Sequence, residues 1–204
     1  MVCRTADAAA AEAKAIGWRL VTTSSAARDR LLELIKARAI VHGAVTLSSG
    51  QEADYYVDLR RVTLDGEAAP LVGQVMAELT GGLEFDAVGG LTMGADPVAA
   101  AMLHATAAAG GTLDAFVVRK AEKAHGLQQR IEGPSIAGRR VVVVEDTSTT
   151  GGSPLTAVAA CRGAGAEVVA VAVIADRASG AREKVEAEGL TYLAAYSLQD
   201  LGLS

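Results

Sequence analysis

The sequence predicts an α/β domain built on a mostly parallel sheet with helices on both faces. Short apolar runs at Phe85–Leu91, Leu113–Val118, Val141–Val144 and Val168–Ile174 alternate with segments of about a dozen residues that carry apolar positions at helical spacing. That alternation is the pattern of βα units. The run at Val141 is apolar at every position, not at every second one, as expected of a strand covered on both faces. At 204 residues the chain is long enough for one domain with a full core. No internal repeat and no second domain interrupt the alternation.

Composition narrows the class further. Half of the residues are hydrophobic but only 3% are aromatic, so the core is expected to be Ala, Val, Leu and Ile. A formal charge of −5 argues against a general binder of nucleic acid or anionic membranes, though it allows a locally basic pocket. The two cysteines, Cys3 and Cys161, do not suggest a disulfide framework, and a reducing cytoplasm is the natural reading. No uninterrupted apolar run reaches membrane-spanning length. Residues 1–25 read as a helix-prone or disordered extension dispensable for chemistry: the Ala8–Ala11 run is broken by Glu12 and Lys14, without a positive-then-apolar signal pattern. The domain proper is expected over 26–204.

Taken in order, Ser24 or Ser25 can cap a helix whose Leu31, Leu32, Leu34 and Ile35 share one side, ending near Arg38. Val45–Gly50 reads as a short strand and turn and Tyr55–Leu59 as a second strand, a hairpin turning around 49–54. Tyr55 and Tyr56 must then face opposite ways, so one is free to stack on a ligand. Asp65 can cap a helix from about Gly66 to Leu79. The strand at Phe85–Leu91 leads into an Ala-rich helix to about Ala109, and Leu113–Val118 is the next strand. After the strand at Val141 come a helix from Pro154 to about Arg162, the strand Val168–Ile174, a helix around Ala181–Glu188 and a last strand near Tyr192.

Two stretches carry the chemistry. The first, Val141–Pro154 (VVVVEDTSTTGGSP), is a strand expected to end at Glu145 and Asp146, then a run of hydroxyls and glycines, then a helix with Pro in its first turn. Such a loop gathers N–H groups and hydroxyls at the positive end of a helix dipole, where a phosphate binds. It has neither the Walker Gly-Lys-Ser/Thr nor GxGxxG. The acids repel phosphate, so they fit neutral hydroxyls such as those of a ribose. The second stretch, some twenty residues after Val118, has no clear periodicity and carries Arg119, Lys120, Lys123, His125 and Arg130. A loop that long inside a compact domain reads as a functional lid. Ligands on parallel sheets bind beyond the carboxyl ends of the strands, which collects Thr92–Asp96, Arg119–Lys120, Glu145–Ser153 and Asp176–Arg177.

These residues resemble the type I phosphoribosyltransferases, and within them the orotate phosphoribosyltransferases. VVVVEDTSTTGGSP resembles the ribose-phosphate motif of the whole superfamily. VVRKAEKAHG, Val117–Gly126, resembles the lid of the orotate branch, and TLSSGQEADYYVD resembles its N-terminal hairpin. With Asp176–Arg177, these features cover about Ala27–Leu201 in order. The resemblance implies a type I phosphoribosyltransferase-like fold with a small N-terminal hairpin or hood and a long mobile lid. It implies a homodimer that shares lid residues across its interface, without nucleic-acid or membrane partners. The implied reaction transfers the phosphoribosyl group of 5-phosphoribosyl 1-diphosphate (PRPP) to orotate with Mg²⁺, giving orotidine 5′-monophosphate and pyrophosphate on the route to UMP.

By motif, Glu145 and Asp146 take the ribose hydroxyls, and Thr147, Ser148, Thr149, Thr150, Gly151, Gly152 and Ser153 take the 5′-phosphate. Arg119, Lys120, Lys123 and His125 match pyrophosphate-binding positions. Thr149, Arg177 and Tyr56 match positions beside orotate. Lys123, Arg119, His125 and Asp146 form the implied catalytic set, with Mg²⁺ held mainly through substrate and not by direct protein ligands. Some members carry Lys where this chain has Ser48, and Tyr-Lys where it has Met93-Gly94. Two other readings stay open: a phosphoribosyltransferase for a purine or uracil, and a non-catalytic regulator that senses PRPP.

Overall fold

The computed structural model describes residues 25–46, 52–120 and 130–203. The elements are α1 (Ser25–Arg38), β1 (Ile40–Thr46), β2 (Glu52–Val57), α2 (Arg60–Thr63), α3 (Ala68–Leu79), β3 (Ala87–Leu91), α4 (Ala95–Ala108), β4 (Asp114–Val118), β5 (Ile131–Glu132), β6 (Arg140–Ser148), α5 (Gly152–Gly163), β7 (Glu167–Asp176), α6 (Ala181–Ala187), β8 (Thr191–Ser197) and α7 (Leu198–Leu201). A six-stranded sheet runs in the order β5-β4-β3-β6-β7-β8. Every pairing in it is parallel except that of the short edge strand β5 with β4. β1 and β2 form a separate antiparallel pair with a register irregularity between His42 and Val45.

The unbroken valine run has its explanation in two core layers. Val142 and Val144 of β6 join Leu31, Ile35, Val72, Met76, Val98 and Met102 from α1, α3 and α4 on one face. Val141 and Val143 join Ala157, Val158, Cys161 and Val185 from α5 and α6 on the other. Successive side chains on a strand point to opposite faces, so covering both faces requires an apolar residue at every position. The helices divide between the faces as right-handed crossovers demand. From β3 the chain steps outward to β4 through α4 on the first face. From β6 it steps the opposite way to β7 through α5 on the second.

Several boundaries differ from those read in the sequence. β1 begins at Ile40 instead of Val45, because the β-branched Ile40-Val41 pair directly follows the end of α1 and pairs with Val57 and Tyr56. β2 ends at Val57, since Asp58 and Leu59 turn into the short helix α2, which the sequence reading did not contain. The turn expected around 49–54 lies partly outside the described residues. Asp65 caps as expected: its Oδ1 accepts from the N–H groups of Glu67 and Ala68 at 3.0 Å each. The regular helix then starts at Ala68. Within the stretch expected to lack structure, Ile131 and Glu132 pair with Val118 and Val117. α5 starts at Gly152, two residues before Pro154, and Ser197 with Asp200 forms a capping box that opens α7. β6 does not stop at the acids. It continues to Ser148 because β7 continues beside it, Thr147 opposite Ala175 and Ser148 opposite Asp176.

Candidate active site

The strand order reverses direction between β3 and β6, and in an open parallel sheet the crevice at such a reversal, beyond the carboxyl ends of the strands, is where ligands bind. A cavity of about 550 Å³ opens there. Its walls come from the ends of β3 (Leu91–Gly94) and β6 (Glu145–Pro154), from the hairpin end (Tyr56–Asp58 and Arg60), and from Lys120 and Arg177.

Glu145 is buried, with 5% of its surface exposed, and Asp146 is half-buried. The Asp146 N–H donates to Glu145 Oε1 at 3.2 Å, and the Thr147 N–H donates to Asp146 Oδ1 at 2.6 Å. Burial pushes the Glu145 carboxyl well above its ordinary range, and the adjacent Asp146 charge adds to that. Burial raises Asp146 too, while the Thr147 N–H opposes the rise. Two acids are therefore kept in one wall with little charge compensation of their own, which fits a task of accepting hydrogen bonds from neutral hydroxyls. The loop after β3 touches them. A Cβ on Gly94 would fall on Glu145 Oε1 and lie 2.9 Å from Asp146 Oδ1. A side chain at Gly94 would therefore displace the acid pair or the loop. The Thr92–Met93 peptide in this loop is cis, and Thr92 Oγ1 donates to Asp96 Oδ2 at 2.6 Å.

Beyond the acids, Gly151 stands at the N-cap of α5 with φ 78°, a left-handed conformation that glycine adopts without strain. No side chain caps this helix start. Pro154 has no N–H to offer, so the first-turn N–H groups left for an anion are those of Gly152 and Ser153.

The overrun of β6 brings the two ends of the site together. The Arg177 N–H donates to Ser148 O at 2.9 Å, which fixes the start of the segment after β7 against the end of β6. The Asp176 carboxylate receives the Ala178 N–H at 2.9 Å. Among the described residues, neither Arg177 nor Lys120 has a salt bridge. Tyr56 lies on the cavity wall while Tyr55 packs against the first core layer, the division expected of adjacent residues on a strand.

Of the site residues expected from sequence, the cavity gathers Glu145 to Ser153, Tyr56, Lys120 and Arg177. Arg119 is not on its wall. The Arg119 guanidinium sits 3.6 Å from Glu132, and its carbonyl receives the Arg130 side chain at 3.4 Å. Lys123 and His125 lie outside the described residues, as do Ser48 and most of the lid. Sequence reading missed Asp58 and Arg60. The available signal was Asp-Leu-Arg-Arg directly after an aromatic strand, which puts a charged pair where the hairpin meets the sheet.

A family model described as the phosphoribosyl transferase domain matches residues 62–191. A Streptomyces coelicolor protein named orotate phosphoribosyltransferase is 75% identical over 177 residues, covering 86% of this chain and 97% of its own. The crystal structure of Mycobacterium tuberculosis orotate phosphoribosyltransferase in complex with Fe(III) dicitrate is 58% identical, with TM-score 0.80 over 87% of this chain and 99% of that one. The same organism's enzyme in complex with PRPP is 53% identical, with TM-score 0.77 over the same shares. With this fold, this cavity and these relatives, the chain belongs to the orotate phosphoribosyltransferase family of type I phosphoribosyltransferases.

Proposed function

We propose that this chain transfers the phosphoribosyl group of PRPP to N1 of orotate, giving orotidine 5′-monophosphate and pyrophosphate in pyrimidine biosynthesis. The observation that carries this reading is the continuous wall from Glu145 to Ser153 with Arg177 bonded to its middle. That wall offers acceptors for sugar hydroxyls, then uncapped N–H groups for a phosphate, then a planar cation for an anionic base. Glu145 and Asp146 hold the ribose hydroxyls, and Thr147 to Ser153 hold the 5′-phosphate. Arg177, Thr149 and Tyr56 hold orotate. A guanidinium meets a carboxylate through two parallel N–H donors, which an ammonium cannot do.

In the reaction the C1′–O bond to pyrophosphate breaks with its electron pair leaving on oxygen, the C1′–N1 bond forms, and the N1 proton is released. Positive charge builds on the ribose and negative charge on the leaving group. Lys120, Arg119, Lys123 and His125 stabilise the leaving pyrophosphate, and Asp146 faces the cationic ribose. Closure of the lid over the site excludes water that would hydrolyse PRPP.

Among the described residues there is no cluster of three or more metal-ligating side chains. A Mg²⁺ would arrive on substrate, held mainly by its phosphates and by waters. Bound that way, the ion would supply charge neutralisation on the pyrophosphate. The homodimer with lid residues shared across its interface rests on the family resemblance, while Arg119 pairs with Glu132 of its own chain. The buried free thiol of Cys161 fits a reducing cytoplasm. The test is pyrophosphate release from PRPP with orotate, uracil or adenine, each with and without Mg²⁺. Release with orotate and Mg²⁺ alone is expected. Release with uracil or adenine in place of orotate, or no release at all, refutes the assignment.

A further inference from the structure

We infer that Arg60 binds the pyrophosphate of PRPP and so belongs to the substrate-binding machinery; this rests on the function proposed above. Arg60 is the first residue of α2 and lines the cavity together with Tyr56 and Asp58. Its side chain is aimed by its neighbours. Nε donates to Asp58 Oδ1 at 2.8 Å, and Nη2 stands 3.5 Å from Tyr56 Oη. The Asp58 carboxylate also receives the Arg60 N–H at 3.3 Å. Asp58 therefore occupies the Nε edge of the guanidinium and leaves the Nη donors without an acid partner. A planar cation held by one edge presents its other edge to a ligand, and phosphate oxygens match that fork.

The charge distribution of the cavity says which ligand group this edge serves. Three cations line it among the described residues: Arg60, Lys120 and Arg177. The 5′-phosphate is assigned to neutral N–H donors at the start of α5, and Arg177, whose N–H is bonded to Ser148 O, is assigned to orotate. PRPP carries its second and larger charge on C1′, beside the hydroxyls assigned to Glu145 and Asp146. The loop after β3 supplies no charge there, because Met93 is apolar and Gly94 has no space for a side chain. Arg60 lies within electrostatic reach of Asp146, each favouring the other's charged form. It is a cation held on the cavity wall by Asp58. Adjacent Arg61 does not line the cavity and reaches Asp58 Oδ2 only at 4.0 Å.

Calorimetric titration of the full chain and of Arg60→Gln with PRPP, pyrophosphate, ribose 5-phosphate and orotate tests the inference. Arg60→Gln is expected to weaken PRPP and pyrophosphate binding at least tenfold and to leave ribose 5-phosphate and orotate within twofold. Arg60→Lys, which keeps the charge but not the fork, is expected to fall between the parent and Arg60→Gln. Should Arg60→Gln fail to fold, Arg60→Lys alone decides: PRPP binding equal to the parent's overturns the inference. It is overturned too if all four ligands weaken together, if none weakens, or if orotate alone does. A parent chain that binds none of the four refutes the assigned function instead.

Discussion

Replacing Gly94 by alanine isolates the contact between the loop after β3 and the acid pair. The backbone at Gly94 has φ −66° and ψ −44°, which any residue adopts, so the substitution carries no conformational penalty. Its whole effect is the added methyl. That methyl falls on Glu145 Oε1 and comes within 2.9 Å of Asp146 Oδ1 and 3.1 Å of Asp146 Cγ. Glu145 is buried and cannot swing into solvent, so the loop or the acids must shift. Overpacking by a methyl in a packed region costs about 1–3 kcal/mol. If the shifted atoms are those that hold the ribose, the loss appears as roughly five- to 150-fold in kcat/KM for PRPP at about 1.4 kcal/mol per tenfold. The same strain lowers the melting temperature by about 2–4 °C per kcal/mol for a chain of this size. The assay is the initial rate of orotidine 5′-monophosphate formation against PRPP at saturating orotate, beside a thermal melt. A variant with kcat/KM for PRPP within twofold of the parent, and an unshifted melt, refutes the close approach.

Four further outcomes are expected. Lys123→Ala is expected to lower kcat at least tenfold, roughly 1.4 kcal/mol of transition-state stabilisation; unchanged turnover removes the lid from the mechanism. Arg177→Lys is expected to raise KM for orotate about tenfold with KM for PRPP unchanged, because the ammonium keeps the charge but loses the paired donors; the opposite split reassigns Arg177 to the phosphate. Phe116→Ala, which empties a 1%-exposed site in the second core layer against Gly89, is expected to cost about 3–5 kcal/mol in chemical denaturation. For Glu145→Gln the sign follows from its raised carboxyl. The folded chain binds that proton more tightly than the unfolded chain, so the parent loses stability as pH rises above the ordinary glutamate value of 4.5, and below it the group contributes nothing. The melting-temperature advantage of Glu145→Gln over the parent is therefore expected to grow as pH is raised from 4.5, and an advantage that shrinks with pH contradicts the assigned burial.

Element types were legible wherever one local rule dominated. Alternating apolar runs identified the strands from Ala87 onward, and the unbroken valines of β6 announced two covered faces. Asp65 announced a cap that it indeed provides. What was not legible depended on partners distant in sequence. The end of β6 is set by β7: Thr147 and Ser148 stay in the strand because Ala175 and Asp176 lie beside them. The two residues of β5 exist only as partners of β4. At the site, chain order was enough to list Glu145 to Ser153 and Arg177, since strand ends collect on one edge of a parallel sheet. It was not enough for Arg60, which enters from the hairpin side, or for Arg119, whose strand-end position pointed at the cavity while its side chain pairs with Glu132.

The overrun of β6 also bears on how the site tolerates its own electrostatics. Had the strand ended at the acids, the hydroxyl loop would leave the sheet at once, and the segment carrying Arg177 would have no backbone partner there. Two more rungs on β7 instead fix Ser148 and Arg177 to each other through the sheet. The acid pair precedes Ser148 on the same strand, Glu145 buried and Asp146 half-buried on the cavity wall. Arg60, at the start of α2, favours the charged form of Asp146 from outside the sheet. The acids and Arg177 are thus set by the sheet, while Arg60 and Lys120 reach the cavity from the hairpin side and from the segment after β4. A substitution in β6 or β7 should therefore disturb every ligand together, and a substitution at Arg60 only those that carry pyrophosphate.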